Sequence, residues 1–326
     1  MSILVLKEQE IRDLITLQEV IPEIEKAFAA YSQKAASLPS VIHLDVPRHK
    51  GEVHIKAGHL HDAEEYVVKV ASGFWENRLR DLPIGSGLML VFSAETGFPQ
   101  AVLLDNGYLT EIRTAAAGAV AAKYMSSNSV EQVAVLGAGA QGRYQLEALR
   151  LVRSFRRVRI YDHHSQNVDR YLQEMRPRLD AELEAAGTVQ QALQGSKIVV
   201  TTTPARSPIV HAEWVEPGTH ITAMGSDGGD KQELDVAVLA RADRIIADSL
   251  PQCVRIGEIH HGVAAGVIQE QDVDGELGDV VLGRIPGRIS DQEITICDLT
   301  GVGVQDAAIA GLVFRKALQN RIGITL

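Results

Sequence analysis

Between residues 9 and 35 charged and apolar positions recur at helical spacing, with Leu14, Ile15, Val20, Ile21, Ile24 and Phe28 forming one apolar stripe. A period near 3.6 gathers such residues on one face, so the segment predicts a pair of core-facing helices. From Ser40 to about Leu104 the pattern shifts to short runs rich in Val and Ile, among them Val67-Val68-Lys69-Val70 and Leu88-Met89-Leu90-Val91-Phe92. Gly51, Gly73, Gly85, Gly87 and Gly97 punctuate these runs, which read as mostly antiparallel strands. Glu95-Thr96-Gly97-Phe98-Pro99 reads as a hairpin turn. Asp105-Asn106-Gly107-Tyr108-Leu109-Thr110 is a turn before an Ala-rich helix reaching about Met125. Thr110 is its candidate N-cap, which places Arg113 and Thr114 in the first turn.

From Val130 onward strand and helix patterns alternate: Val133–Leu136, a helix through Arg153, Val158–Tyr161, a helix near 168–185, Ile198–Thr203, Ile221–Met224 and Arg244–Asp248. Such alternation predicts a parallel sheet with crossover helices, an α/β architecture beside the antiparallel α+β region before it. A last helix spans about 304–320 and can return to pack on the first region. A length of 326 residues suits two domains, each with enough material for its own core.

Composition narrows the partners. With 45% hydrophobic and 23% charged residues the chain is that of a globular protein, and no apolar stretch approaches the roughly 20 residues of a membrane span. A net charge of −10 repels phosphate backbones and anionic lipid, which disfavours nucleic acid and membranes as partners. Charged residues interrupt the N-terminus too often for a signal peptide, so the expected location is cytoplasmic. Cys253 and Cys297 lack CxxC spacing and read as buried free thiols, and His54, His59 and His61 have no common ligand spacing, so no metal is expected.

The most specific chemistry lies after Val133-Ala134-Val135-Leu136, which runs into Gly137-Ala138-Gly139-Ala140-Gln141-Gly142 and then a helix. In a dinucleotide-binding turn Gly137 makes the tight bend, Gly139 lets backbone approach a pyrophosphate, and Gly142 packs the helix on the strand. The helix N-terminus offers free amides to phosphate. Asp162 ends the next strand 20 residues after Gly142, where an acid accepts the ribose hydroxyls and repels a 2′-phosphate. The region is therefore a Rossmann-type doubly wound sheet, and NAD is the expected cofactor over NADP.

Four ordered motifs add a family resemblance: Leu109-Thr110-Glu111-Ile112-Arg113-Thr114-Ala115-Ala116, Gly137 to Gly142, Gly225-Ser226-Asp227-Gly228-Gly229-Asp230-Lys231-Gln232-Glu233, and Gly301-Val302-Gly303-Val304-Gln305-Asp306. Together they resemble the ornithine cyclodeaminase and mu-crystallin family over nearly the whole chain. Asp105 to Thr110 and Cys253 to His261 look most like its branch tied to ectoine utilisation. The resemblance implies a substrate-binding and dimerisation domain over 1–115, completed by 304–326, an NAD-binding domain over 116–303, and a homodimer acting on a small amino or imino acid. It implies that Lys69 and Arg113 hold the substrate α-carboxylate and that Asp227 moves a proton as hydride leaves Cα. It also implies Ala140 and Gln141 at the phosphates, Asp162 at the ribose, Thr114, Thr202, Gly225, Ser226, Lys231 and Leu299 along the cofactor, and Thr300 on the substrate side.

Two departures bear on specificity. His43 stands where the family usually has a further carboxylate-binding arginine, and Leu88 stands at a position near the cofactor that often carries threonine. Lys56 adds a cation that favours a substrate with a second anionic group. The plain alternatives are that Lys69 is an edge-strand lysine reaching water, Arg113 a capping or pairing residue on a helix surface and Asp227 a solvated turn residue. His260, His261 and the run Arg153–Arg159 read as solvated faces.

Three activities fit. The expected one is a cyclodeaminase of a diamino acid, which cyclises with loss of ammonia while NAD is reduced and reoxidised within one cycle; the other two are its alternatives. The second is net redox, by an amino acid dehydrogenase or a reductase of a pyrroline carboxylate or iminosuccinate. The third is a nucleotide-binding protein without turnover, which retention of Lys69, Arg113 and Asp227 argues against.

Overall fold

The computed structural model describes residues 2–326, apart from the Arg78 side chain. The chain divides into two compact units, one running to Arg113 and resuming at Val302–Leu326, the other spanning Thr114–Gly301. The helix Tyr108–Met125 carries the chain across the division.

In the first unit an eight-stranded sheet runs in the order Ile324–Thr325, Leu4–Lys7, Pro99–Leu104, Gly85–Ser93, Glu65–Phe74 and Gly51–Leu60, and both Ala36–Ser37 and Ile42–Val46 pair with the last of these. Pairing is antiparallel except where Leu4–Lys7 runs beside Pro99–Leu104. The antiparallel region expected from the Val-rich runs is present. The two terminal strands are short and were silent in the pattern.

Alternation gives this sheet two unlike faces. Glu65, Val67 and Lys69 are buried, whereas Tyr66, Val68 and Val70 between them are half-buried. The expected helix pair, Glu8–Leu14 and Leu17–Ser32, buries Ile11, Val20, Ile24 and Phe28. The long helix Gly303–Asn320 packs on Leu17–Ser32 and on the strands Gly51–Leu60 and Glu65–Phe74. It buries Ile309 and Val313 fully, each worth about 1.5–3 kcal/mol relative to exposure. The opposite sheet face carries Val68, Val70, Leu88 and Leu90, and continues into Ile42 and Leu44, which are 59% and 55% exposed.

One close approach places the final helix. A Cβ on Gly58 would lie 2.6 Å from the Gly303 carbonyl oxygen, and one on Gly303 would lie 2.7 Å from that of Ala57. Two facing glycines therefore let the helix start against the strand, with Gln305 and Asp306 in its first turn.

The second unit holds an eight-stranded parallel sheet in the order Glu182–Ala185, Arg157–Tyr161, Gln132–Leu136, Ile198–Thr201, His220–Ala223, Thr295–Asp298, Arg244–Ala247 and Gly275–Glu276. Gln132–Leu136, Ile198–Thr201 and His220–Ala223 are buried throughout, as strands covered on both faces must be. This is the doubly wound α/β fold that the alternating pattern predicts.

Several local readings are corrected. The helix Tyr108–Met125 starts before Thr110, because Asp105 Oδ2 accepts the Leu109 amide at 2.8 Å and takes the capping role. The segment read as one helix near 168–185 is a helix Ser165–Met175 followed by the strand Glu182–Ala185, paired with Arg157–Tyr161. Arg153 lies beyond its helix, which ends at Arg150, and it is no solvated residue: its guanidinium donates to Ser126 Oγ and to the carbonyls of Lys123, Ser126, Ser127 and Val152. His261 is likewise half-buried and donates from Nε2 to the Lys231 carbonyl at 2.7 Å.

Candidate active site

In the first unit three charged side chains meet in the interior. Lys69, at the middle of Glu65–Phe74, points under the final helix and donates from Nζ to Asp306 Oδ1 at 2.8 Å. Arg113 Nε lies 3.2 Å from the same oxygen, in ion-pair contact but outside hydrogen-bond geometry, and Nη1 donates to Gln305 Oε1 at 3.0 Å. Gln305 Oε1 also accepts the Val302 amide. Lys69 is 2% exposed, Arg113 7% and Asp306 2%. Among the described residues Arg113 Nε and Asp306 Oδ2 have no hydrogen-bond partner. Buried polar atoms of that kind are costly unless a ligand or water completes them.

The charges set one another's protonation. Burial pulls the Lys69 ammonium down to about 7, with Asp306 opposing and Arg113 and Lys56 adding to the fall. Burial pushes Asp306 upward, but the charges of Lys69, Arg113 and Lys56 outweigh it and hold its carboxyl below the usual range. Lys56 stands directly across from Lys69 in the strand register, so the two share a sheet face. Asp105, 1% exposed and feeling the Lys69 charge, is pushed up to about 6 by burial. His43 is exposed, opposite His54 and 2.9 Å from Asp45.

In the second unit the glycine turn follows Gln132–Leu136. Gly137 adopts φ +107°, and a Cβ on Gly142 would stand 2.2 Å from the Gly137 carbonyl oxygen, so the helix Ala140–Arg150 packs as closely as a side chain there would forbid. A Cβ on Gly139 would meet nothing within 4 Å, and both Gly139 and Ala140 face solvent at the helix N-terminus. The turn therefore has the open, amide-lined mouth that a pyrophosphate needs. Asp162 Oδ2 accepts the Ala138 amide, and Oδ1 accepts the His164 amide and Asn167 Nδ2. A carboxylate has about four lone-pair directions, so this network leaves capacity for a ribose hydroxyl. Thr202 Oγ1 donates to the carbonyls of Leu136 and Gly137, fastening the neighbouring loop to the turn.

Asp227 follows the strand His220–Ala223, is half exposed, and pairs with Lys231. Ser226 and Leu299 are buried, and Ser226 donates to the Lys231 carbonyl. Thr300 is buried and donates its hydroxyl to Asp248. Thr114 offers its carbonyl to Gln145 Nε2, which also contacts Gln141. The two thiols are buried as expected. Among the described residues no three His, Cys, Asp or Glu side chains converge on a metal position, and no helix is long and apolar enough to cross a membrane.

Sequence reasoning assigned no role to Asp306, Gln305, Asp105 or Glu233. All four lie inside stretches singled out for their resemblance, and an acid in a helix's first turn, as Asp306 is, is ordinarily explained by the helix dipole. Asp306 spends its charge on Lys69 instead.

Residues 1–321 match the family described as ornithine cyclodeaminase/mu-crystallin, and the chain belongs to it. It is 43% identical to an uncharacterized cyclodeaminase of Sinorhizobium fredii over 321 residues, covering 98% of this chain and 97% of that one. A solved archaeal alanine dehydrogenase dimer with bound NAD is 37% identical and superposes with a TM-score of 0.93, covering 100% of this chain and 99% of that one. The iminosuccinate reductase of Paracoccus denitrificans, solved with NAD+, is 34% identical with a TM-score of 0.92 over 100% of this chain and 99% of that one.

Proposed function

We propose that the protein is an NAD-dependent oxidoreductase that exchanges a hydride with the α-carbon of a small amino or imino acid. The observation that carries this reading is the shared acid of the first unit. Lys69 and Arg113 are both buried against one oxygen of Asp306, so the cluster holds more positive than negative charge when Lys69 is protonated. Burying excess charge is unfavourable by itself, and a substrate carboxylate is the group that would balance it. Lys69 and Arg113 would hold that carboxylate and fix the orientation of Cα.

The glycine turn, Asp162 and Thr202 would hold the dinucleotide, with Thr114, Gly225, Ser226, Lys231 and Leu299 lining it. When bound, NAD supplies the hydride acceptor and donor. Asp227 would take the proton released from the α-ammonium, or return it to an imine, once Lys231 yields its ion pair. Lys56 weighs for net redox over cyclodeamination, because a cation beside Lys69 repels the distal ammonium of a diamino acid. NAD-bound relatives that are dehydrogenase and reductase by name point the same way. The half-exposed apolar face of the first-unit sheet supports a homodimer, the state named for the archaeal alanine dehydrogenase.

Purified protein with NAD and a panel of amino acids tests the reading through near-ultraviolet absorbance. Accumulated NADH supports it. Ammonia without NADH would establish the cyclodeaminase, and cofactor perturbation without turnover the binding protein.

A further inference from the structure

The parallel strands of the second unit end at one edge, where ligands of open α/β sheets bind. Two neighbouring strands release important loops there: Ile198–Thr201 leads into Thr202 and Thr203, and His220–Ala223 leads into Gly225, Ser226 and Asp227. The chain then returns as the short strand Gln232–Leu234. From it Glu233, with no exposed surface, reaches between the two loops. Its Oε1 accepts the Thr203 amide at 2.6 Å and the Thr203 hydroxyl at 2.7 Å, and its Oε2 accepts the Gly225 amide at 2.8 Å.

The rest of the surroundings brace this carboxylate. Glu258 accepts the Glu233 and Leu234 amides at 2.8 and 3.1 Å, and Asp298 accepts the amide of Ile259 at 2.9 Å. His261, on the helix Glu258–Ala264, and Ser226 both donate to the Lys231 carbonyl. Gly225 is pressed so closely that a Cβ would stand 2.3 Å from the Thr203 carbonyl oxygen and 2.4 Å from Glu233 Oε2.

We propose that Glu233 is a positioning residue, a buried carboxylate strut that locks the Thr203 and Gly225 loops together and thereby sets where Asp227 and Thr202 stand. For Asp227 this rests on the proton-transfer role given to it above. A carboxylate is required because three donors from two loops converge on it and it is acceptor-only. A glutamine would turn its amide N–H against one of the loop donors. Burial pushes the Glu233 pKa upward, and the hydrogen bonds that Thr203 and Gly225 donate pull it back, favouring the ionised form that accepts all three.

The test compares Glu233→Gln and the milder Thr203→Val, which deletes one donor, with the wild type. Hydrogen exchange is followed across 225–231 and across 132–136, together with NADH affinity, kcat and KM. In Glu233→Gln, exchange at 225–231 should quicken by about tenfold, the equivalent of one lost hydrogen bond to a charged group, with 132–136 unchanged. With it, kcat should fall by about tenfold or more, and NADH affinity should weaken by a smaller factor because Thr202 and Gly225 also border the cofactor. Thr203→Val should move both in the same direction by less. Unchanged exchange at 225–231, equal loosening of the whole unit, or a loosened loop with unchanged kcat would each overturn the proposal. A wild type without turnover would sink the functional reading, and the exchange data would still decide whether Glu233 locks the loops.

Discussion

Lys69 Nζ and Asp306 Oδ1 stand 2.8 Å apart in the interior of the first unit although 237 residues separate them along the chain. The pair joins a central strand to the helix that closes the unit, and Arg113 shares its oxygen. A buried pair of this kind contributes little net stability while intact, but loss of one member leaves uncompensated charge.

Asp306→Asn should therefore destabilise the protein by about 3–5 kcal/mol in urea unfolding, because two buried cations lose their anion. Lys69→Met combined with Asp306→Asn should recover part of that loss. Strict additivity of the two substitutions would show that the residues do not act as a pair.

Carboxylate binding should weaken with rising pH. Lys69 is protonated below about 7 and neutral above it, so affinity for an α-carboxylate ligand, followed by calorimetry, should decline through that pH by up to about tenfold per unit. Lys69→Arg stays charged and should abolish the decline. A flat wild-type profile would mean the ammonium is not the group that meets the carboxylate.

Stability should fall between weakly acid and weakly alkaline pH. Burial raises Asp298 from 3.8 to about 8 and Glu258 from 4.5 to about 9. The folded state thus holds protons that the unfolded chain releases near pH 4. Their contribution is full below that point and is lost as pH rises through 8 to 9, at up to about 1.4 kcal/mol per unit for each group. Asp298→Asn mimics the protonated acid and should flatten the slope in denaturation series from pH 5 to 9. An unaltered slope would assign the dependence elsewhere.

The glycine turn offers a matched pair of substitutions. Gly139→Ala places its methyl in open space and should leave the melting temperature unchanged while weakening NADH binding, because the new Cβ stands where the pyrophosphate approaches. Gly142→Ala drives a methyl into the Gly137 carbonyl and should lower both stability and NADH affinity. Fluorescence titration and thermal unfolding separate the two. Equal cofactor affinity in Gly139→Ala and wild type would move the binding site away from this turn.

Lys56→Ala should reduce affinity for a substrate bearing a second carboxylate more than for a neutral amino acid. Equal changes for both, measured as KM or Kd, would remove Lys56 from specificity.

How much of this was legible differs by element. Gln132–Leu136 and its glycine turn declare themselves because a buried parallel strand is continuously apolar and a tight turn needs glycine, both local requirements. The antiparallel region is legible because β-preferring runs such as Val67-Val68-Lys69-Val70 and Leu88-Met89-Leu90-Val91-Phe92 are punctuated by glycines. The strand Glu182–Ala185 was absorbed into a helix because Glu182, Glu184 and Ala185 carry no strand preference and are held there by pairing with Arg157–Tyr161.

The chain order by itself determined the strand and helix periodicities, the phosphate-type turn, the acid at the end of the following strand and the presence of Arg113 and Asp227 in recognisable motifs. Tertiary structure alone decided that Asp306 spends its charge on Lys69 and Arg113, that Asp105 caps the helix bearing Arg113, and that Glu233 ties two loops together. The physical reason is range. Periodicity and turn chemistry act over a few residues, whereas an ion pair or a shared carboxylate depends on which distant segments packing brings within about 3 Å.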